Sequence, residues 1–190
     1  DQMVIEAYKL LSQLSDTYLP TALQLFNKMA TEICEGQQYD VDFESQDHVA
    51  IEDYLLMIRL KTAVLLATAL KMGAYLAGAE QEAQDALYQF GIHIGLAFQI
   101  QDDILDVWGD PATFGKAIGG DISCNKKTFV TITALKMADE ESKKELHYWF
   151  GQTLEDNTEK IASVKAIYDR LGVYAECEIS VKNQTDRAFT

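Results

Sequence analysis

Phe98-Gln99-Ile100-Gln101-Asp102-Asp103-Ile104-Leu105-Asp106 places three carboxylates at i, i+1 and i+4 inside an otherwise apolar run. Read as a helix, the run sets Asp102 and Asp106 about 40° apart around the axis and Asp103 about 100° from Asp102. Three anions then share one edge of a helix whose other positions (Phe90, Ile94, Ala97, Phe98, Ile104 and Leu105) are read as buried. Such an edge repels itself and resists desolvation, so oxygen-preferring Mg²⁺ is its natural partner. A solvated acidic face is the competing reading.

Downstream, Gly109-Asp110-Pro111 breaks the helix, and Lys116, Gly119, Gly120, Asp121, Lys126, Lys127 and Thr128 follow. The segment mixes carboxylates suited to a hard cation with ammonium groups and glycine-exposed backbone N–H groups suited to phosphate. A diphosphate bound as its magnesium complex needs both kinds of group.

The remaining features bound the fold. The 190 residues are 48% hydrophobic, enough for a substantial core, and the length favours one domain, residues 1–190. Two prolines, abundant helix formers and no cleanly alternating window favour an all-α chain. A net charge of -14 argues against nucleic acid or an anionic membrane as a general partner. Cys34, Cys124 and Cys177 lack metal-site spacing and read as thiols of a reducing compartment, hence a cytoplasmic location. The apolar run from Thr62 to Leu70 is too short for a bilayer span of about 20 residues. His93 reads as a hydrogen-bonded core residue.

Helices are expected at 2–17, 21–35, 48–78, 80–108, 127–138, 140–156, 158–171 and 173–188, with breaks at Pro20, Gly36, Gly78, Gly109 and Gly172. The two long segments leave room for a kink or a second helix. Gly91 and Gly95, four apart, suit close helix packing. The opening DQMVIEAYKLLSQL reads as an established amphipathic helix, with Val4, Ile5, Tyr8, Leu11 and Leu14 near one stripe.

FQIQDDILD followed by GDPATFGKAIGGDISCNKKT resembles the second aspartate-rich region of the trans-isoprenyl (polyprenyl) diphosphate synthases, the farnesyl and geranylgeranyl diphosphate synthase family. Gly36-Gln37-Gln38-Tyr39-Asp40 is similar to the family's GQxxD, and Lys61-Thr62 to its KT pair, in the expected order. The resemblance runs from Asp1 to about Arg187. It implies an antiparallel helical bundle of the isoprenoid synthase type around a central cavity, of which this chain is the C-terminal part. In the family a preceding segment carries the first aspartate-rich motif and much of the isopentenyl diphosphate site.

The resemblance also implies roles. Asp102 matches a metal ligand, with Asp103 and Asp106 as further ligands or as acids that orient water and lysine. Lys61, Lys116 and Lys126 match contacts to the allylic diphosphate, and Thr62, the Lys61 carbonyl and Gln99 face the allylic carbocation. Gln37 and Asp40 line the same cavity; Lys127 departs from the family pattern and is assigned no contact. The implied enzyme is an Mg²⁺-dependent homodimer that joins an allylic diphosphate to isopentenyl diphosphate. A catalytically silent synthase-like subunit and an acidic helical interaction protein remain as alternatives.

Overall fold

Pro20 at the start of one helix and left-handed Gly78 and Gly172 at the stops of two others set three of the boundaries, as expected of residues that cannot donate a backbone hydrogen bond or that tolerate positive φ. The computed structural model describes residues 2–110, 112 and 118–190, and there is no strand among the described residues. α1 (Gln2–Leu11) is short, and α2 (Leu19–Glu44) starts with Pro20 in its first turn. α3 (Ile51–Ile58), a π-helical turn (Arg59–Ala63) and α4 (Val64–Leu76) form one continuous rod. α5 (Gln81–Trp108) is uninterrupted. α6 (Gly120–Ser123), α7 (Phe129–Met137), α8 (Glu140–Phe150), α9 (Thr158–Leu171) and α10 (Val173–Ala188) complete the order.

Local chemistry explains these ends. Gly78, at φ 76°, closes α4 with Gly78 N–H donating to Tyr75 O and Ala79 N–H to Ala74 O, a Schellman stop. Thr128 and Asp139 cap α7 and α8 through their side-chain oxygens. Gly172, at φ 72°, ends α9 and opens α10. α1 stops at Leu11, six residues before the expected end, and of its apolar stripe Val4, Ile5 and Tyr8 remain exposed.

The bundle is antiparallel. A Cβ on Gly91 would lie 2.4 Å from Ala67 Cα and one on Gly95 2.5 Å from Ala63 Cα, so α5 climbs as α4 descends, nearly backbone to backbone. α10 runs against α5 in the same sense: Phe90 meets Phe189, His93 Nδ1 pairs with Gln184 Oε1 at 2.8 Å, and Trp108 meets Tyr174. Ile100, Ile104, Val64, Val130, Leu146, Val164 and Tyr168 fill the core.

Three further expectations change here. The helix expected over 140–156 stops at Phe150. Gly36 does not break a helix: α2 continues eight residues past it, and a Cβ there would sit 2.4 Å from Lys61 N, so the glycine lets α2 press against the π turn. Phe98 is not buried but 60% exposed, on the side of α5 away from the core. Among the described residues no helix is long and apolar enough to cross a membrane.

Candidate active site

Four elements bring the sequence-marked polar residues to one end of the bundle. The C-terminal turns of α5 carry Gln99, Asp102, Asp103 and Asp106; the end of α2 carries Gln37 and Asp40. The π turn presents Lys61 and Thr62, and the segment through α6 presents Asp121 and Lys126. A π turn widens the backbone by one residue and rotates the side chains that follow it relative to a regular helix, which is why such turns recur at functional sites. Here its signature is Val64 N–H donating to Arg59 O, five residues back.

The acidic run divides. Asp102 and Asp106 are partly exposed at the mouth. Asp106 is held in place by the chain that returns to it: Asp121 N–H donates to its Oδ2 at 3.0 Å and Gly119 N–H to its backbone O at 2.6 Å. Asp121 is thereby seated beside Asp106, and burial followed by the Asp106 charge raises its carboxyl above the ordinary value. Lys126 Nζ lies 4.0 Å from Asp121 Oδ1. Burial works against the Lys126 charge, but Asp121 and Asp40 outweigh it and raise its pKa.

Asp103 departs from the expected metal edge. It is 4% exposed, and its Oδ2 accepts from Tyr54 OH at 2.5 Å and from Phe129 N–H at 3.0 Å, while Gln99 Nε2 reaches Oδ1 at 3.4 Å. A carboxylate turned inward and already accepting from three donors is not free to ligate an ion at the surface. Burial pushes its pKa up to about 7, against the downward pull of the Tyr54 and Phe129 bonds. Burial and the Asp103 charge in turn raise the Tyr54 phenol well above its ordinary value.

Lys61 Nζ donates to Asp40 Oδ2 at 2.5 Å, so the GQxxD and KT segments meet directly. Thr62 Oγ1–H donates to Gln99 Oε1 at 3.1 Å, which links the π turn to α5 one turn below Asp103. Gln37 is exposed on α2. Lys127 lines the same cleft as Asp40 and Lys126 but is tied to its wall, its Nζ donating to Glu44 O at 3.1 Å. Lys116 lies outside the described residues. The cleft lined by Asp40, Lys126 and Lys127 measures about 1480 Å³, and its other walls include Phe43, Ile132 and Phe150.

Asp121 is the residue that spacing did not single out. Its signal was a carboxylate in a Gly-rich, Lys-rich loop, legible only once the loop folds back onto Asp106. The donor set at the mouth, carboxylate oxygens from Asp102, Asp106 and Asp121, suits a hard divalent cation. Among the described residues no three acidic, imidazole or thiol groups close on a single point, so a cation here needs oxygens from a bound ligand or water as well.

The family model for polyprenyl synthetase matches residues 1–171. A short chain isoprenyl diphosphate synthase of Methanocaldococcus jannaschii is 41% identical over 147 residues, 77% of this chain and 45% of the relative. A (2E,6E)-farnesyl diphosphate synthase of Mycobacterium tuberculosis is 39% identical over 128 residues, 67% of this chain and 36% of the relative. The crystal structure of a geranylgeranyl pyrophosphate synthase superposes with a TM-score of 0.92 at 40% identity, covering 99% of this chain and 58% of that one. The Corynebacterium glutamicum geranylgeranyl pyrophosphate synthase, solved in complex with isoprenyl diphosphate and magnesium, superposes with a TM-score of 0.89 at 31% identity, covering 99% of this chain and 54% of that one. The chain thus spans less than half the length of these curated relatives. With the GQxxD, KT and aspartate-rich segments meeting at one end of an all-α bundle, the chain belongs to the polyprenyl synthetase family.

Proposed function

We propose that this chain supplies the allylic-diphosphate side of a chain-elongating prenyltransferase, which joins an allylic diphosphate to isopentenyl diphosphate through an allylic carbocation. One observation carries the reading. Carboxylates (Asp102, Asp106, Asp121), ammonium groups (Lys61, Lys126) and an ordered hydroxyl–amide pair (Thr62, Gln99) lie on facing elements at one mouth. Leaving-group chemistry needs that combination and no nucleophilic Ser, Cys or His.

Asp102 would hold Mg²⁺ together with diphosphate oxygens, Asp106 and Asp121 standing beside it. When bound, the cation would offset charge on the departing diphosphate. The chain's own groups do the rest. Lys61, kept at the mouth by Asp40, and Lys126, kept there by Asp121, take up the remaining negative charge, and Lys116 is proposed to join them. Thr62 commits its proton to Gln99, which leaves the lone pairs of the hydroxyl oxygen to face a positive carbon. Asp40 lines the adjoining cleft, and Gln37, three residues before it on α2, is proposed to face the same space. The double bond of isopentenyl diphosphate attacks the allylic carbon, and loss of a proton completes the step.

The test is an assay of the full-length protein with isopentenyl diphosphate and a short allylic diphosphate, with Mg²⁺ or with a chelator, followed by product extraction. Elongated product that requires Mg²⁺ and is lost in Asp102→Ala supports the reading. Tight binding of Mg²⁺ and diphosphate without product would instead favour a catalytically silent subunit.

A further inference from the structure

Behind the turn that carries Lys126 sits a charge that the proposed reaction does not use. Lys160, in the first turns of α9, is 1% exposed. Its Nζ donates to Asn125 Oδ1 at 2.6 Å and reaches Ser123 O at 3.5 Å. Both acceptors are neutral oxygens, an amide and a backbone carbonyl. A buried ammonium without a carboxylate is a costly way to fill space that a methionine could fill, unless its hydrogen bonds hold something in place.

What they hold is an unusual backbone. Among the described residues Asn125 is the one non-glycine with positive φ, at 56°. Left-handed geometry is unfavourable for residues with a Cβ, and asparagine bears it best when its side chain is bonded. Here Asn125 Nδ2 donates to Phe150 O at 3.0 Å while Oδ1 accepts from Lys160, so the amide is clamped at both ends. The next residue is Lys126, whose N–H donates to Asp121 O at 2.9 Å and whose Nζ faces Asp121. Asp121 fixes the turn from the mouth, and Lys160 fixes it from behind.

We propose that Lys160 is a positioning residue: its buried ammonium locks Asn125 in the left-handed conformation and thereby aims Lys126 at the diphosphate. The inference rests on the reading of Lys126 as a diphosphate contact. A charged donor suits the task because hydrogen bonds from an ammonium are about twice as strong as neutral ones, and a long unbranched stem can reach from α9 to the turn without disturbing the core.

The experiment is steady-state kinetics of the full-length protein with the allylic diphosphate varied, on Lys160→Met, Asn125→Gly, Lys126→Ala and the Lys126→Ala/Lys160→Met double variant. Lys160→Met is expected to raise KM for the allylic diphosphate about tenfold or more, with a smaller fall in kcat, because a phosphate-facing group is displaced rather than removed. Asn125→Gly keeps the backbone conformation accessible, loses both side-chain bonds, and should show the same split; it decides the matter if Lys160→Met does not fold. In the Lys126→Ala background, Lys160→Met should add less than about twofold, since its effect passes through Lys126. The proposal is overturned if neither single variant moves KM, or if the Lys160→Met effect multiplies undiminished in the Lys126→Ala background, which marks a general loss of structure. An unchanged KM in Lys126→Ala alone would remove the diphosphate reading of Lys126 and the positioning role with it, a result distinct from failure of the Lys160 arm.

Discussion

Asp102 and Asp103 are consecutive residues of one helix in opposite surroundings. Asp102 stands partly exposed at the mouth with Asp106, Asp121 and Lys126. Asp103, one step around the axis, is buried and binds Tyr54 of α3 and the first backbone N–H of α7. An acidic motif therefore need not be one site. Part of it offers charge to a ligand, and part of it uses its hydrogen-bonding oxygens to join the helices that hold the ligand-facing part still. The second task explains why a carboxyl group is tolerated in a core: three donors replace the water it gave up.

The sharpest test of this division is Asp102→Ala in the full-length protein. Activity should fall by about 10² to 10³, the scale of losing one preorganised electrostatic contact to the reacting group, while the unfolding midpoint hardly moves. Asp103→Ala should do the reverse in emphasis. It strands the Tyr54 hydroxyl and the Phe129 N–H in the core, at about 1–3 kcal/mol for each unsatisfied group, and the loss should appear in denaturant unfolding of the chain without any substrate. Equal loss of stability in the two variants would erase the distinction.

Tyr54→Phe sharpens the same contrast on a smaller scale. The ring stays packed beside Phe129, Asp103 keeps the Phe129 N–H, and one buried hydrogen bond is lost, at about 0.5–1.5 kcal/mol. The expected result is an unfolding midpoint between those of the wild type and Asp103→Ala. A variant as unstable as Asp103→Ala would mean that the anchor depends on the phenol alone.

The sequence disclosed the helices better than it disclosed the division of labour within them. Apolar periodicity located the rods, and Pro20, Gly78, Gly109 and Gly172 located the ends beside them, because those signals are local. Gly36 misled because its absent side chain serves the approach of Lys61 from another rod rather than a turn in its own. The π turn at Arg59–Ala63 could be anticipated only as a kink somewhere in 48–78: one extra residue in a long helix barely alters the periodicity, yet it sits where Lys61 and Thr62 must turn to the mouth. Asp103 looked like its neighbours because a helical wheel shows angles and not partners. Tyr54, 49 residues away, decides its role. Lys160 carries no local signal at all; it acquires meaning from Asn125, 35 residues upstream.

The subtlest consequence of the buried anchor is its pH dependence. Burial raises Asp103 to about 7 against an ordinary value of 3.8, so the folded protein takes up a proton at this site over a range in which the unfolded chain has released it. The site's contribution to stability is therefore full below pH 3.8, declines as pH rises, and is gone once pH passes about 7. Between those limits it should lower the unfolding free energy by at most about 1.4 kcal/mol per pH unit, one proton's worth. Asp103→Asn cannot titrate, so the difference between wild type and this variant, measured by urea unfolding in the presence of a chelator from pH 4 to pH 8, isolates the term from every other carboxylate in an acidic chain. A wild-type stability that falls relative to the variant over this range agrees with an anchor dominated by burial. A relative rise between pH 4 and pH 5 would show that the bonds from Tyr54 and Phe129 win, holding the carboxylate ionised, and that Asp103 resembles Asp102 in charge even though it differs in place.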